Sequence, residues 1–320
     1  MHVSKVLQSA AAYAVHKSFA EIAPLYDAFI LDQYGVMHNG AVGLEGATEC
    51  VEELIRQKKK LIILSNTSGA ASAALSKLPN YGFDVNHFLG AVTSGEESSK
   101  YVKATYGSDA TTPKKALWFT WDGKGNMPLP QDYLTKCGNV QPADTVDEAD
   151  FVLCHGAHVW QTSDQQVSLG SFLTEGNLDV VNPILQQALA RNLPMVCANP
   201  DFIVRLPDGE TGHMPGTIAK AYQDIGGQCT SFGKPNPEHF QACLEQLGVE
   251  ASRVCHVGDS LHHDILGANA ANIASVLVTS GIHAQELETE FGELPDTAKL
   301  DRLFQHEQIV PTHVISAFRF

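Results

Sequence analysis

The apolar residues of this chain fall into short runs, and the first of these runs ends in an acid. Residues 28–31, Ala-Phe-Ile-Leu, are followed directly by Asp32-Gln33-Tyr34-Gly35. An unbroken apolar run of this length predicts a strand buried on both faces, as in a parallel sheet. Open α/β sheets bind their ligands at the carboxyl ends of the strands, so the pattern makes Asp32 the first candidate for chemistry.

Helical and strand patterns alternate after this first strand. Apolar spacing predicts helices over residues 46–58 and 70–78, and strands over residues 61–64 and 89–93. The strand over residues 61–64 runs into Ser-Asn-Thr-Ser-Gly at the same sheet edge as Asp32. A βαβαβ order of this kind is typical of α/β proteins with a Rossmann-like, three-layer core around a parallel sheet.

The pattern of predicted strands, turns and helices changes between residues 94 and 199. This block contains short predicted strands, a Gly- and Asn-rich turn at residues 122–126 and a predicted helix over residues 182–191. A block of this size that interrupts an α/β sheet predicts an inserted second domain. We therefore predict a core formed by residues 1–93 and 200–320, and an inserted α/β cap domain formed by residues 94–199.

Beyond the insertion the alternation resumes, and two more polar clusters appear. Helices are predicted over residues 216–225, 237–247 and 265–271, and strands over residues 254–257 and 275–278, the last strand in the pattern. One polar cluster is Gly233-Lys234-Pro235, and the other contains Asp259 and Asp264. The second cluster directly follows a predicted strand, so we expect it at the same edge of the sheet as Asp32.

Together these clusters supply the groups that phosphoryl transfer requires. The candidate residues are Asp32, Ser65, Asn66, Lys234, Asp259 and Asp264. Carboxylates bind Mg²⁺ as hard oxygen ligands, and the metal and a lysine neutralise charge on the transferred group. A carboxylate can also form an acyl-phosphate intermediate. The set therefore predicts a phosphoryl-transfer site.

Composition narrows the possible partners and compartments. The chain has 320 residues, of which 44% are hydrophobic and 18% charged, as in ordinary globular proteins. A formal net charge of −15 argues against nucleic acid as a partner, and no apolar run approaches the roughly 20 residues of a membrane span. Seven scattered cysteines without metal-site spacing predict buried free thiols in a reducing, cytoplasmic compartment.

The first 23 residues allow two interpretations. They contain one acid and some helical periodicity, which fits a weak organelle-targeting signal. A docked amphipathic helix is the favoured interpretation, because Phe19, Ile22, Ala23 and Leu25 lead directly into the first strand.

The order and spacing of the polar motifs resemble the haloacid dehalogenase (HAD) superfamily, and within it the class IIA phosphatases. Those phosphatases carry a C2-type cap domain between their second and third motifs. The resemblance covers residues 26–282. The matching motifs are Asp32-Gln33-Tyr34-Gly35-Val36, Ser65-Asn66, Gly233-Lys234-Pro235 and Gly258-Asp259 through Asp264. Asn199-Pro200-Asp201 and Pro215-Gly216 resemble the element where a class IIA cap rejoins the core.

The resemblance implies a role for each matching residue. Asp32 would attack phosphorus, and its carboxylate would also contact Mg²⁺. The main-chain carbonyl of Tyr34 and the carboxylate of Asp259 would be further metal ligands, while Asp264 would orient the metal's water shell or Lys234. The implied phosphate- or substrate-binding residues are Ser65, Asn66, Lys234 and Asp201.

The chain departs from the phosphatase pattern at Tyr34. Family phosphatases carry a second Asp at this position, which protonates the leaving oxygen and later activates water. Tyrosine has a reference pKa of about 10 and is a poor base near neutrality, so the loss is typically worth about 10² to 10⁴ in rate. The reaction would then be slow, limited to good leaving groups or stalled at the aspartyl phosphate. His38 is the first candidate for a substitute acid/base, followed by His262 and His263.

Two other functions compete with a phosphatase. Asp-x-Tyr is also what the superfamily's dehalogenases show, but halide release from carbon needs no Mg²⁺ site. A binding protein that kept the fold and lost turnover is the other alternative. We predict an Mg²⁺-dependent phosphatase for a small phosphorylated metabolite, with a homodimer as a possible assembly. Trp118, Trp121 and Trp160 are expected in the core of the cap rather than at the substrate.

Overall fold

The structure is a computed structural model, and it describes residues 13–124, 128–205 and 210–320. In chain order, its strands are β1 (Ala14–Val15), β2 (Ala28–Leu31), β3 (Lys60–Ser65), β4 (Ala91–Thr93), β5 (Lys114–Thr120), β6 (Val140–Pro142), β7 (Phe151–Cys154), β8 (Val159–Gln161), β9 (Gln166–Ser168), β10 (Met195–Cys197), β11 (Ile203–Arg205), β12 (Thr211–His213), β13 (Cys229–Ser231), β14 (Val254–Gly258), β15 (Ala274–Val278) and β16 (His313–Ile315).

Helices connect most of these strands. In chain order they are α1 (Ala47–Arg56), α2 (Ala71–Lys77), α3 (Ser94–Thr105), α4 (Pro130–Lys136), α5 (Phe172–Glu175), α6 (Val181–Ala190), α7 (Pro215–Asp224), α8 (Pro237–Leu247), α9 (Leu266–Ala270), α10 (Ala284–Leu287) and α11 (Thr297–Glu307). A π-helical turn, Leu261–Ile265, precedes α9.

The core is a parallel sheet with helices on both faces, as predicted. Within the described residues its strand order is β1-β16-β15-β14-β2-β3-β4, and every pair is parallel. Residues of β2 alternate between the two apolar cores: Phe29 packs with helix α1, and Ile30 packs with helix α8. Burial on both faces explains why β2 is apolar throughout.

A second sheet follows β4 in the chain. In the described residues its main path is β13-β10-β7-β5-β8-β9, with β6 paired to β5. Strands β13, β10, β7, β5 and β6 run parallel, and β8 pairs antiparallel with both β5 and β9. Trp121 lies in this unit's core, Trp118 packs on the sheet's other face, and Trp160 packs against the core partly buried.

Some residues beyond position 200, the start of the second core segment in the prediction, contribute to the second sheet. Strand β13 pairs with β10, and helix α7 packs Ile218 and Tyr222 into the core of the second sheet. Residues 215–231 therefore lie with the second sheet rather than with the core. Pairing between strands that are distant in the sequence decides which sheet these residues join, and local periodicity carries no information about such pairing.

Two other predicted elements differ in the structure. The core sheet contains a strand, β16, beyond residue 278, where the prediction has none. Its three residues are too few for a clear apolar pattern. Near the N-terminus, residues 19–25 form two short 3₁₀ turns, Phe19–Glu21 and Ala23–Leu25, instead of an amphipathic α-helix, and Pro24 lies within the second turn. Phe19 and Ile22 are buried as predicted, whereas Leu25 is exposed. Residues 1–12, which carry the rest of the predicted helix, lie outside the described residues.

Two expectations from composition can be compared with the structure. All seven cysteines are free, and only Cys229 is partly exposed. Among the described residues, no helix is both long and apolar enough to cross a bilayer.

Candidate active site

The polar residues that follow strands β2, β3 and β14 meet at the carboxyl edge of the core sheet. Leu31, the last residue of β2, pairs with Val257 of β14 on one side and with Ile63 of β3 on the other. Because the strands are parallel and in this register, the residues that follow them come together. Asp32 and Asp259 therefore face one another across neighbouring strands, as the sequence predicts.

Lys234 connects Asp32, which follows β2, with Asp264, which lies in the turn after β14. Its Nζ lies 2.7 Å from Asp32 Oδ1 and 2.7 Å from Asp264 Oδ1. Burial by itself would lower the pKa of Lys234, but the two carboxylates outweigh it and raise the pKa. The ammonium is therefore permanently charged at neutral pH and holds two acids in place.

Both carboxylate oxygens of Asp264 accept hydrogen bonds from the protein. Its Oδ1 also accepts a hydrogen bond from His256 Nε2 at 2.7 Å, and its Oδ2 accepts from the Ser260 N–H at 3.0 Å. Burial would raise the pKa of Asp264, but Lys234 and His256 lower it below its usual range. Asp264 is therefore an ionised, buried anchor for Lys234 rather than an ordinary helix-start acid.

His256 is a site residue that the sequence reasoning missed. It is fully buried within β14, and burial lowers the pKa of its imidazole. Its ring packs edge-on against Phe240 of helix α8 at 5.0 Å. A histidine inside an otherwise apolar strand was the available signal, since a buried polar residue needs a partner.

The carboxylates of Asp32, Asp259 and Asp264 form a compact acidic cluster. Ligand atoms from all three lie within 4.8 Å of one another. Burial raises the pKa of Asp32 to about 7 despite Lys234, and burial with the neighbouring acids raises that of Asp259 well above its usual range. A divalent cation relieves such crowding, because oxygen ligands and negative charge are what Mg²⁺ prefers. These donors fit the predicted metal.

Glycines make room for this cluster. A Cβ atom at Gly35 would lie 2.0 Å from Asp259 Oδ2, and one at Gly281 would lie 2.2 Å from the same atom. Gly35 also has a φ of +80°, a conformation that favours glycine. The Ile282 N–H donates to Asp259 Oδ2 at 2.9 Å. The backbone thus packs tightly around the Asp259 carboxylate and fixes its position.

Residues 65–69, here called the phosphate loop, begin at the last residue of β3 and lie at the same edge of the sheet. Asn66 lies in the middle of a hydrogen-bond network: its Nδ2 donates to Asp201 Oδ1 at 2.7 Å and to the Lys234 carbonyl at 3.2 Å. Its Oδ1 accepts from the Lys234 N–H at 2.7 Å. The side chain of Asn66 therefore supports the loop, and any bond from it to a substrate would replace one of these contacts.

Asp201 and His263 extend the hydrogen-bond network of Asn66 and Lys234. His263 donates through Nδ1 to the Lys234 carbonyl at 3.1 Å, and its Nε2 lies 3.5 Å from Asp201 Oδ1. Asp201 is only partly buried and lines the cavity above the site. The other candidate of the last loop, His262, is exposed and pairs with Glu307 at 2.8 Å.

Tyr34 and His38 lie side by side on the loop that follows β2. Their rings meet edge to face at 6.0 Å, and His38 stacks on Tyr81 at 4.0 Å. The Gly40 N–H donates to His38 Nδ1 at 3.1 Å, which places the imidazole proton on Nε2. Burial, with the charge of Lys77, lowers the pKa of His38 to about 4. His38 is therefore a neutral imidazole near neutral pH.

A cavity of about 900 Å³ opens above the carboxylates. Tyr34 and Tyr81 line it from the core. Trp121, which follows β5, Leu173 of helix α5 and Phe202, which directly precedes β11, line it from the opposite side. This volume suits a small organic ligand, and the second sheet contributes part of its wall.

Lys234 gives a stability prediction. Lys234→Met should lower the free energy of unfolding by about 3–5 kcal/mol in EDTA, because it leaves Asp32 and Asp264 buried without their counter-ion. The exposed pair of Lys220 and Asp224 provides a control, and Lys220→Met should change stability by less than about 0.5 kcal/mol. Urea denaturation of both variants measures the difference. Equal, small losses would contradict the assigned role of Lys234.

Two family profiles match separate parts of the chain. Residues 29–123 match a profile described as haloacid dehalogenase-like hydrolase, and residues 231–303 match one described as HAD-hydrolase-like. The first segment contains Asp32 and the phosphate loop. The second contains Lys234, Asp259 and Asp264. The matched segments thus carry all the motifs that meet at the sheet edge.

Named relatives and solved structures extend the similarity to nearly the whole chain. The 4-nitrophenylphosphatase of Schizosaccharomyces pombe is 25% identical over 296 residues, covering 88% of this chain and 93% of the relative. An acid sugar phosphatase of Staphylococcus saprophyticus is 26% identical over 276 residues, covering 85% and 93%. The crystal structure of a haloacid dehalogenase-like hydrolase from Brucella suis 1330 gives a TM-score of 0.71 at 22% identity, covering 94% of this chain and 98% of that one. The profile matches and the shared fold show that this chain belongs to the haloacid dehalogenase superfamily of hydrolases.

Proposed function

We propose that the protein is a phosphatase that hydrolyses small phosphomonoesters through an aspartyl phosphate on Asp32. The observation that carries this proposal is the placement of Asp32 at the end of β2, held by Lys234 and next to Asp259. The phosphatases among the named relatives support the same reaction class. The cavity volume favours a small phosphorylated metabolite over a phosphoprotein.

The residues of this chain divide the reaction between them. Asp32 attacks phosphorus, and a bond from its carboxylate oxygen forms as the ester oxygen leaves. Water then attacks the same phosphorus, which releases phosphate and restores the carboxylate. Lys234 and Ser65 hold the phosphoryl oxygens during both steps, and the charge of Lys234 offsets the charge that develops on them.

Mg²⁺ fits the acidic cluster of this site. Asp32, Asp259 and the main-chain carbonyl of Tyr34 would hold it, and the bound ion would neutralise charge on the phosphoryl group. Both oxygens of Asp264 already accept hydrogen bonds from the protein. We therefore assign Asp264 to the support of Lys234 rather than to direct contact with the ion.

Proton transfer to the leaving group is the weak step of this site. Tyr34 replaces the usual Asp, and His38 is a poor substitute, because a pKa of about 4 leaves little of its acid form at neutral pH. We propose that His38 lines the substrate cavity. The site then favours esters whose leaving oxygen departs without a proton, such as aryl phosphates.

Release of phosphate from p-nitrophenyl phosphate, with Mg²⁺ and with EDTA, tests the proposal. Turnover that requires Mg²⁺ is the expected result. A parallel assay for halide release from chloroacetate tests the rival suggested by Asp-x-Tyr. Halide release without phosphatase activity would favour a dehalogenase, and phosphate binding without either activity would favour a binding protein.

Metal binding should depend on pH. The folded-state pKa of Asp32, about 7, lies above its ordinary value, so this carboxyl is mostly protonated below that pH and must ionise to bind a cation. We expect Mg²⁺ to raise the melting temperature more at about pH 8 than at about pH 5.5. Thermal melts with Mg²⁺ and with EDTA at both pH values measure this effect. A larger stabilisation at the lower pH would contradict it.

A further inference from the structure

The phosphate loop is held largely by residues that lie outside β3. The hydroxyl of Ser94, at the start of helix α3, lies 2.7 Å from the Asn66 carbonyl oxygen and 3.0 Å from that of Thr67. The hydroxyl of Thr93 donates to the Gly69 carbonyl at 2.8 Å. The segment that leads from β4 into the second sheet therefore fixes the backbone of this loop.

Ser68 is bound by two side chains of the second sheet. The indole Nε1–H of Trp121, which directly follows β5, donates to Ser68 Oγ at 2.9 Å. Nε2 of His155, which directly follows β7, donates to the Ser68 carbonyl at 3.2 Å. Because a carbonyl only accepts, the proton of this neutral imidazole is on Nε2, and Nδ1 accepts from the Thr120 hydroxyl at 2.8 Å. The side chains of Ser68, Thr120, Trp121 and His155 are all buried, and these hydrogen bonds pair their polar atoms.

The packing leaves the loop little room to move away from these donors. A Cβ atom at Gly95 would lie 2.0 Å from the Ser68 carbonyl oxygen, so helix α3 approaches the loop backbone at the limit of contact. Ser68 itself is 1% exposed. Helix α3, Trp121 and His155 therefore hold the loop at Ser68, three residues after Ser65.

We propose that the second sheet positions the phosphate loop through the contacts of Trp121 and His155 with Ser68. This inference rests on the proposed function, since it assumes that Ser65 holds phosphoryl oxygens. Trp121 and His155 are positioning residues, because they act through the loop rather than on the reacting atoms. The unit that walls the substrate cavity thereby also sets the geometry of phosphate binding at the core.

Two tryptophans provide a matched test. Trp121→Phe removes the N–H that Ser68 Oγ accepts, whereas Trp118→Phe removes a buried N–H without a hydrogen-bond partner in the described structure. We expect Trp121→Phe to weaken the binding of inorganic phosphate, measured by calorimetry, and to lower kcat/KM by about 3- to 10-fold. Trp118→Phe should change both quantities by less than about twofold.

A double-mutant cycle separates positioning from direct contact, because Trp121 also lines the cavity. Ser68→Ala should have the same effect as Trp121→Phe, and the double variant should show no further loss. Additive losses, or equal behaviour of Trp121→Phe and Trp118→Phe, would overturn the inference. Ser68→Ala leaves both rings in place, so it tests the contact even if Trp121→Phe proves unstable.

The design also separates this inference from the proposed function. A wild-type protein without turnover contradicts the proposed function, while its calorimetric affinity for phosphate still tests the role of Trp121. Active wild-type protein with an unaffected Trp121→Phe variant contradicts only the positioning role.

Discussion

Asp32→Asn is expected to reduce phosphate release from p-nitrophenyl phosphate by about 10⁴- to 10⁶-fold, because an amide cannot replace the attacking carboxylate. The substitution keeps the size of the side chain, and it removes a buried carboxyl whose pKa is already raised by burial. The variant should therefore fold. Steady-state kinetics at saturating Mg²⁺ measure the loss.

Asp27 provides the control for this substitution. It directly precedes β2 at the opposite edge of the sheet, where it is exposed and pairs with Arg253 at 2.8 Å. Asp27→Asn should leave kcat within about twofold of the wild-type value. Mass spectrometry of acid-quenched wild-type protein should find phosphate on Asp32. A variant lacking Asp32 that retains turnover would sink the proposed mechanism.

Tyr34→Asp is expected to raise the rate on alkyl phosphates by about 10²- to 10⁴-fold, since it restores a carboxyl at the position of the family's acid/base. The rate on p-nitrophenyl phosphate should change little, because that leaving group departs without a proton. The dependence of log kcat/KM on leaving-group pKa should therefore be flatter in the variant. A series of aryl and alkyl phosphates measures this slope.

Tyr34→Phe keeps the ring that packs beside His38 and removes the hydroxyl. If the tyrosine hydroxyl were itself the proton donor, this variant would lose activity on alkyl phosphates, and Tyr34→Asp would bring no gain. That pair of results would contradict the view that the site lacks an efficient acid. It would assign the role to the phenol.

The sequence predicts the core well because its signals are local. Residues 28–31 are apolar because β2 is buried on both faces, and Asp32 follows them because the ligand edge lies there. The same logic places Ser65 and Asp259. Parallel sheets couple these positions through strand register, so a strand pattern with a polar end is enough to bring distant residues together.

What the sequence could not predict depends on contacts between distant segments. Strand β13 joins the second sheet through its pairing with β10, which no local pattern encodes. His256 bonds Asp264 from within an apolar strand, and Trp121 reaches Ser68 from another sheet. Such partners are specified only once the chain has folded, because tertiary packing overrides local preference.

The pairing of β1 with β16 has a consequence for synthesis on the ribosome. The two strands lie about 300 residues apart in the chain, and β16 is the sheet partner of β1 in the described structure. At about 5–20 residues per second, β1 waits roughly 15–60 s for that partner to be translated. Among the described strands of the core sheet, β1 is made before all the others but can pair only after β16 has been made, so completion of this sheet edge is a late event in synthesis.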